Sequence, residues 1–194
     1  DVACLLREAL LREGFDRPVL VGQSMGGYVA QAFLELYPGM AAGFVSVDSC
    51  PLARSYYTAF ELWALRHVRG VYAAIPWGML RRLGADGCSA TEGGRALMRE
   101  MVGEYGHEEY LDLAVHGYAV LADAVELGRA YEVSCPALFL CGTKDSAGSA
   151  RRYNRTWHER TGIRLEWVEG AGHNANSDAP ERVNALLAEF LDRL

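Results

Sequence analysis

The stretch PVLVGQSMGGY, residues 18–28, decides how the rest of the chain is read. An apolar, β-branched run from Pro18 to Gly22 stops at a serine that has glycines two residues before it, and two and three residues after it. The run reads as a buried parallel strand. MGGYVAQAFLELY (25–37) follows as a helix with Val29, Ala32, Phe33 and Leu36 inward, ended by Pro38 and Gly39. Gly22-Gln23-Ser24-Met25-Gly26 is therefore a GxSxG pentapeptide set between a strand and a helix, the nucleophile elbow. The turn at Ser24 is expected to be so sharp that side chains at positions 22 and 26 would collide, which calls for glycine at both. Gly27 is expected to let the helix pack close to the strand. The pattern alone arises by chance in roughly one chain in fifteen of this size, so its placement carries the argument.

A serine hydroxyl is a poor nucleophile at neutral pH and needs a base, which in turn needs an orienting acid. His67, His107 and His116 lie in a helical region and His158 on a polar helix, where surface or packing roles are expected. His173 differs: it sits in EGAGHNANSDAPE, a glycine-rich loop after the last strand, where the ring can swing over the sheet edge. For the acid, Asp145 ends the strand and turn FLCGTKD, again at a carboxyl edge and ahead of His173 in the chain. The order Ser, Asp, His suits this elbow. Asp48, at the end of VSVDS, is a rival acid, and Asp178 is expected to cap the helix that begins near Pro180. The N–H of Met25, at the helix N-terminus, points toward any oxyanion formed on an attacked carbonyl.

Outward from the elbow, residues 2–14 read as a helix stopping at Gly14, GFVSVDS (43–49) as a second strand, PALFLCGTKD (136–145) as a third and RLEWVEG (164–170) as a fourth. Helices are expected over 149–160 and 180–193, with Pro180 as a first helical residue. Strands alternating with helices of this length mean an α/β fold with a mostly parallel sheet flanked by helices. Residues 50–132 break the alternation with an aromatic-rich insertion of three to five helices. The expected division is a core at 1–49 and 133–194, with 50–132 as a helical cap.

On VLVGQSMGGYVA (19–30), LFLCGTKD (138–145) and GAGHNANSDAPERVNALLAEFL (170–191), the chain resembles the α/β-hydrolase family, of the type with a helical cap. The resemblance implies Ser24 as nucleophile, Asp145 as acid, His173 as base and the Met25 amide as one oxyanion donor, with no metal or organic cofactor. Similar proteins begin with several more strands, and a loop after an early one supplies the second oxyanion donor. The present sequence is therefore expected to be a piece of a longer protein, or to have its sheet completed by another chain or a second copy. The strand before Ser24 would then have one side exposed or paired with something else.

Composition bounds the function classes. The 194 residues fit one domain, with 51% hydrophobic and 23% charged residues. The net charge of −6 and the lack of a basic stripe speak against a nucleic-acid partner. No apolar run reaches the ~18–20 residues of a membrane span. Five scattered cysteines, none in CxxC spacing, read as buried thiols of a reducing compartment, hence a cytoplasmic expectation.

The expected activity is serine hydrolysis of an ester or related acyl bond in a small to medium hydrophobic substrate. Tyr56, Trp63 and Trp77, with Tyr57, Phe60, Tyr72 and Met79, are expected to line an apolar pocket under the cap. Asp145→Asn is expected to cost orders of magnitude in rate and Asp48→Asn little. The alternative readings are a ligand-binding or signalling module with little turnover, and an inactive fragment.

Overall fold

The computed structural model describes residues 2–127 and 132–194. Residues 128–131, within the stretch expected to belong to the helical insertion, lie outside the described residues, as does Asp1.

Four parallel strands form one sheet in the order β1-β2-β3-β4: β1 Val19–Gln23, β2 Gly43–Val47, β3 Ala137–Gly142 and β4 Arg164–Val168. The helices of the core are α1 (Val2–Arg12), α2 (Met25–Leu36), α8 (Ala150–Thr161), the short α9 (Ala175–Asp178) and α10 (Pro180–Leu191). α1, α2, α8 and α10 fall where the sequence pattern places them, within two or three residues at the ends; α9 forms inside the stretch read as a glycine-rich loop.

Alternation along the strands sorts side chains onto two faces. Phe44 of β2 and Phe139 of β3 join Phe33 of α2 and Trp157 of α8 in one core cluster, where Trp157 stacks on Phe139 with ring centroids 3.9 Å apart. Val45, Val47, Leu138 and Leu140 face the other way and pack with Val183 and Leu186 of α10. The sheet is thus covered on both faces, which is why β2 is buried at all five positions.

The outer edge of β1 is unpaired among the described residues, and Val21 there is 51% exposed. An apolar strand edge in water is the kind that another strand pairs with.

Among the described residues, five α-helices stand between β2 and β3: α3 (Ala59–Arg66), α4 (Val68–Ala73), α5 (Trp77–Cys88), α6 (Glu92–Gly103) and α7 (His107–Glu126). Thr58 and Glu61 make a reciprocal capping box that starts α3, and the Thr91 hydroxyl caps α6 by accepting from Gly94 N. α3 and α7 pack onto the core: Leu62, Leu121, Ala122 and Val125 join Tyr57 and Cys50 against Ala150 and Tyr153 of α8. No helix among the described residues is long and apolar enough to cross a membrane. The five cysteines are all unpaired; Cys50 and Cys141 are buried and the other three half-buried.

Candidate active site

The parallel sheet brings the three sequence-predicted side chains to one edge, because each follows the carboxyl end of a strand. Ser24 follows β1, Asp145 lies three residues beyond β3, and His173 lies in the loop after β4. Ser24 Oγ lies 2.8 Å from His173 Nε2, and His173 Nδ1 lies 3.0 Å from Asp145 Oδ2. An ionised carboxylate only accepts, so Nδ1 carries the hydrogen and Nε2 is left with the lone pair that faces the serine hydroxyl. The Asp145 side chain is wholly buried, and its other oxygen accepts from Ala147 N at 2.9 Å. The His173 side chain keeps 14% of its surface exposed, so the ring is reachable from outside.

Backbone contacts hold these loops. Ser24 N donates to Val47 O at 2.9 Å, and Gln23 Nε2 donates to His173 O at 2.9 Å. Lys144 N donates to Ala171 O at 2.9 Å, joining the loop after β3 to the loop after β4. Burial alone would lower the pKa of His173, but the hydrogen bond and charge of Asp145, with the charge of Asp48, hold it above the ordinary histidine value of 6.5.

The backbone of Ser24 is strained, with φ at 46° and ψ at −115°. Met25 opens α2, so its amide is among the N-terminal donors without an intrahelical acceptor. A Cβ on Gly22 would come within 2.5 Å of the backbone of Gly26 and Gly27, and one on Gly27 would strike the Ser49 side chain. Gly26 corrects the sequence reading: a Cβ there meets nothing within 4 Å, because position 26 faces solvent. The crowding belongs to Gly22, which the returning backbone crosses. Gly22→Ala is therefore expected to lower stability by ~1–3 kcal/mol through overpacking. Gly26→Ala should leave the thermal midpoint near that of the parent, as calorimetry on both variants would check.

Asp178 also departs from expectation. It does not cap α10, which has no side-chain cap. Its carboxylate instead accepts from Ala90 N (2.7 Å), Thr91 N (3.1 Å), Thr91 Oγ1 (2.6 Å) and Gly172 N (2.8 Å), tying the α5–α6 turn to the histidine loop. Although burial works to raise its pKa, these bonds hold the carboxyl below its usual range. Asn174 N adds a bond to Cys88 O at 2.8 Å.

The aromatic residues expected to line one pocket are dispersed. Tyr56 lies under Arg160, beside a separate cavity of about 330 Å³ that Trp157 and Ile163 also line. Trp63 is 53% exposed and stacks on Phe60 and His67. Trp77 packs against His107 and Tyr110, joining α5 to α7. Tyr57 is buried against Tyr153, Tyr72 meets Tyr118, and Phe60 and Met79 are exposed. Their spacing along helices was legible, but which neighbour each helix face meets was not. The residue that sequence reasoning missed here is Gly117 of α7, over which Met25 Cε fits, 3.5 Å from where a Cβ would stand. This contact sets α7 beside the elbow.

Asp48 sits beside the site, at the end of β2, and is fully buried. Burial pushes its carboxyl up to about 7, against hydrogen bonds from the Gly142 and Ala175 amides that lower it. Asp48, Cys141 and Asp145 offer potential metal-ligating atoms within 4.8 Å of one another. The four carboxylate oxygens in that group already face Gly142 N, Ala175 N, Ala147 N and His173 Nδ1.

Comparison with known proteins agrees with this architecture. A diacylglycerol lipase of Xenopus tropicalis, "sn-1-specific diacylglycerol lipase ABHD11", is 30% identical over 183 residues, 90% of this chain and 56% of that protein. The chain thus spans little more than half the length of the curated relatives it matches. Among solved structures, a thermophilic esterase from Thermogutta terrifontis is 25% identical with a TM-score of 0.69, covering 100% of this chain and 70% of that one. An esterase from Exiguobacterium antarcticum is 20% identical with a TM-score of 0.71, covering 98% and 72%, and shares the fold. The sequence pattern of the alpha/beta hydrolase family matches residues 1–186. With that match over nearly its whole length, a parallel sheet of the same kind and a serine at the strand-to-helix turn, the chain belongs to the alpha/beta hydrolase family.

Proposed function

We propose that the protein is a serine hydrolase that cleaves an ester or related acyl bond, with Ser24 as nucleophile, His173 as base and Asp145 as orienting acid. The observation that carries this reading is the run of contacts from Ser24 Oγ to His173 Nε2 at 2.8 Å and from His173 Nδ1 to Asp145 Oδ2 at 3.0 Å. Support for an ester comes from the names of the related proteins, a lipase and two esterases.

In this mechanism His173 Nε2 takes the proton of Ser24 as Oγ attacks the carbonyl carbon. The oxyanion that forms is stabilised by the Met25 N–H at the positive end of α2. His173 then gives its proton to the leaving oxygen, and water attacks the acyl-enzyme with the same ring as base. Asp145 stays ionised throughout and steadies the imidazolium. The α3–α7 layer acts as a cap: α7 stands beside the elbow through Gly117, and Asp178 fastens the α5–α6 turn to the histidine loop. The substrate class proposed is a small-molecule ester.

The test is labelling by a fluorophosphonate probe with the adduct located by peptide mass spectrometry, alongside hydrolysis of p-nitrophenyl esters. An adduct on Ser24 that is lost in His173→Ala supports the reading, and an adduct on another serine overturns it. Turnover needs a neutral ring, so kcat/KM should fall on acidification. Because the pKa of His173 is raised, the midpoint of that fall should lie above the ordinary histidine value of 6.5.

A further inference from the structure

We infer that Asp48 is a positioning residue for this reaction: from the tip of β2, its buried carboxylate holds the acid-bearing and base-bearing loops at one fixed separation. The inference rests on the serine-hydrolase reading above. Asp48 Oδ1 accepts from Gly142 N at 2.8 Å, and Oδ2 accepts from Ala175 N at 2.8 Å. Gly142 is three residues before Asp145, and Ala175 is two residues after His173. One side chain therefore fastens the backbone on which each partner of the Nδ1···Oδ2 contact is mounted.

The backbone around Asp48 extends the arrangement to the third loop. Val47 O accepts from Ser24 N, and Asp48 N donates to Leu140 O at 2.8 Å. All three expected catalytic loops are thus tied to two consecutive residues at the end of β2. The loops also run in close contact: a Cβ on Gly142 would strike the carbonyls of Ala171 and Gly172.

The conformation of Asp48 points the same way. Among the described residues, only Ser24 and Asp48 are non-glycine residues with positive φ, at 46° and 49°. Asp48 thus shares with the nucleophile a positive φ, which costs a non-glycine residue ~1–3 kcal/mol and persists where surrounding contacts impose it. Positive φ at position 48 favours glycine, asparagine or aspartate; of these only a carboxylate offers two oxygens to accept two amide N–H groups that diverge toward different segments.

Charge adds to the geometry. The titratable groups around the Asp48 carboxylate are Asp145 and Cys141 from the β3 side, His173 from the loop after β4, and Cys50 on its own strand exit. Of these only His173 gains positive charge during the reaction, and the Asp48 charge favours that state. Substituting asparagine removes the charge and turns an NH2 toward one of two N–H donors, so one loop loses its anchor. The sequence expectation that Asp48→Asn costs little is revised accordingly.

The experiment compares Asp48→Asn with the parent chain by ester-hydrolysis kinetics, by thermal melting and by NMR titration of the His173 ring. The expected result is a kcat lower by ~10²-fold with KM little changed, and a ring that titrates at lower pH than in the parent. A folded Asp48→Asn protein with parental kcat and parental ring titration overturns the inference. So does a kcat loss that comes with an unshifted ring in a folded protein, because the His173–Asp145 contact is then intact without Asp48. If Asp48→Asn does not fold, Asp48→Ser, which leaves room for water at both amides, takes its place under the same criteria. Ser24→Ala serves as the control: turnover that survives it sinks the serine-hydrolase reading, while the ring titration still reports on Asp48.

Discussion

Ser24→Ala is expected to reduce ester turnover by ~10⁴-fold or more, while leaving the melting curve close to that of the parent. The size follows from the role: without Oγ there is no acyl-enzyme, and what remains is the oxyanion site and substrate binding. The fold is spared because alanine meets the same backbone demand at φ 46° as serine does, and only the 2.8 Å contact to His173 is lost. That contact contributes about 1 kcal/mol at most in net terms, since the site is partly open to water. Steady-state kinetics with circular dichroism on the same sample checks both halves. Turnover at the parental rate would end the assignment of Ser24 as nucleophile.

Asp145→Asn is expected to lower kcat by ~10⁴-fold, although the substitution changes no side-chain volume to speak of. The carboxylate accepts from His173 Nδ1–H and so keeps the lone pair on Nε2, where the Ser24 proton must go. An asparagine can present its NH2 instead, which stabilises the tautomer with hydrogen on Nε2, and the ring can no longer take the proton. Burial sharpens the effect, because in a low-dielectric setting the imidazolium loses a counter-charge that solvent screens poorly. The comparison that decides the acid is Asp145→Asn against Asp48→Asn in the same assay. A larger loss at Asp48 than at Asp145 would move the acid to the end of β2.

Much of this was open to a reading of the chain alone. The strand run before Ser24, the glycine-rich loop around His173 and the turn carrying Asp145 are local features, each tied to a hydrophobic period and its interruption. Parallel strands put all such interruptions at the same edge, so placing three loops in order was enough to bring Ser24, Asp145 and His173 together. A helical insertion of three to five helices was likewise legible from its spacing, though not their exact number.

Other features depended on which backbone crosses which. Gly22 and Gly26 look equivalent in a pentapeptide, yet only position 22 is crossed by returning chain. Asp178 lies two residues before Pro180 and suggests a cap by proximity, but its partners Ala90 and Thr91 are almost ninety residues away. Tyr56, Trp63 and Trp77 share a segment and an amphipathic setting, and end in three different environments.

The sequence by itself determined the α/β alternation, the place of the helical insertion and the identity of the three side chains at the sheet edge. Each of these rests on periodicity and on turn chemistry within a dozen residues. Only the tertiary structure decided that Asp48 accepts from both Gly142 N and Ala175 N, that Asp178 binds the insertion to the histidine loop, and that α7 stands beside Met25. Those are hydrogen bonds and contacts between segments distant in the chain, and their energy exists only once the sheet has set the segments within about 3 Å of each other.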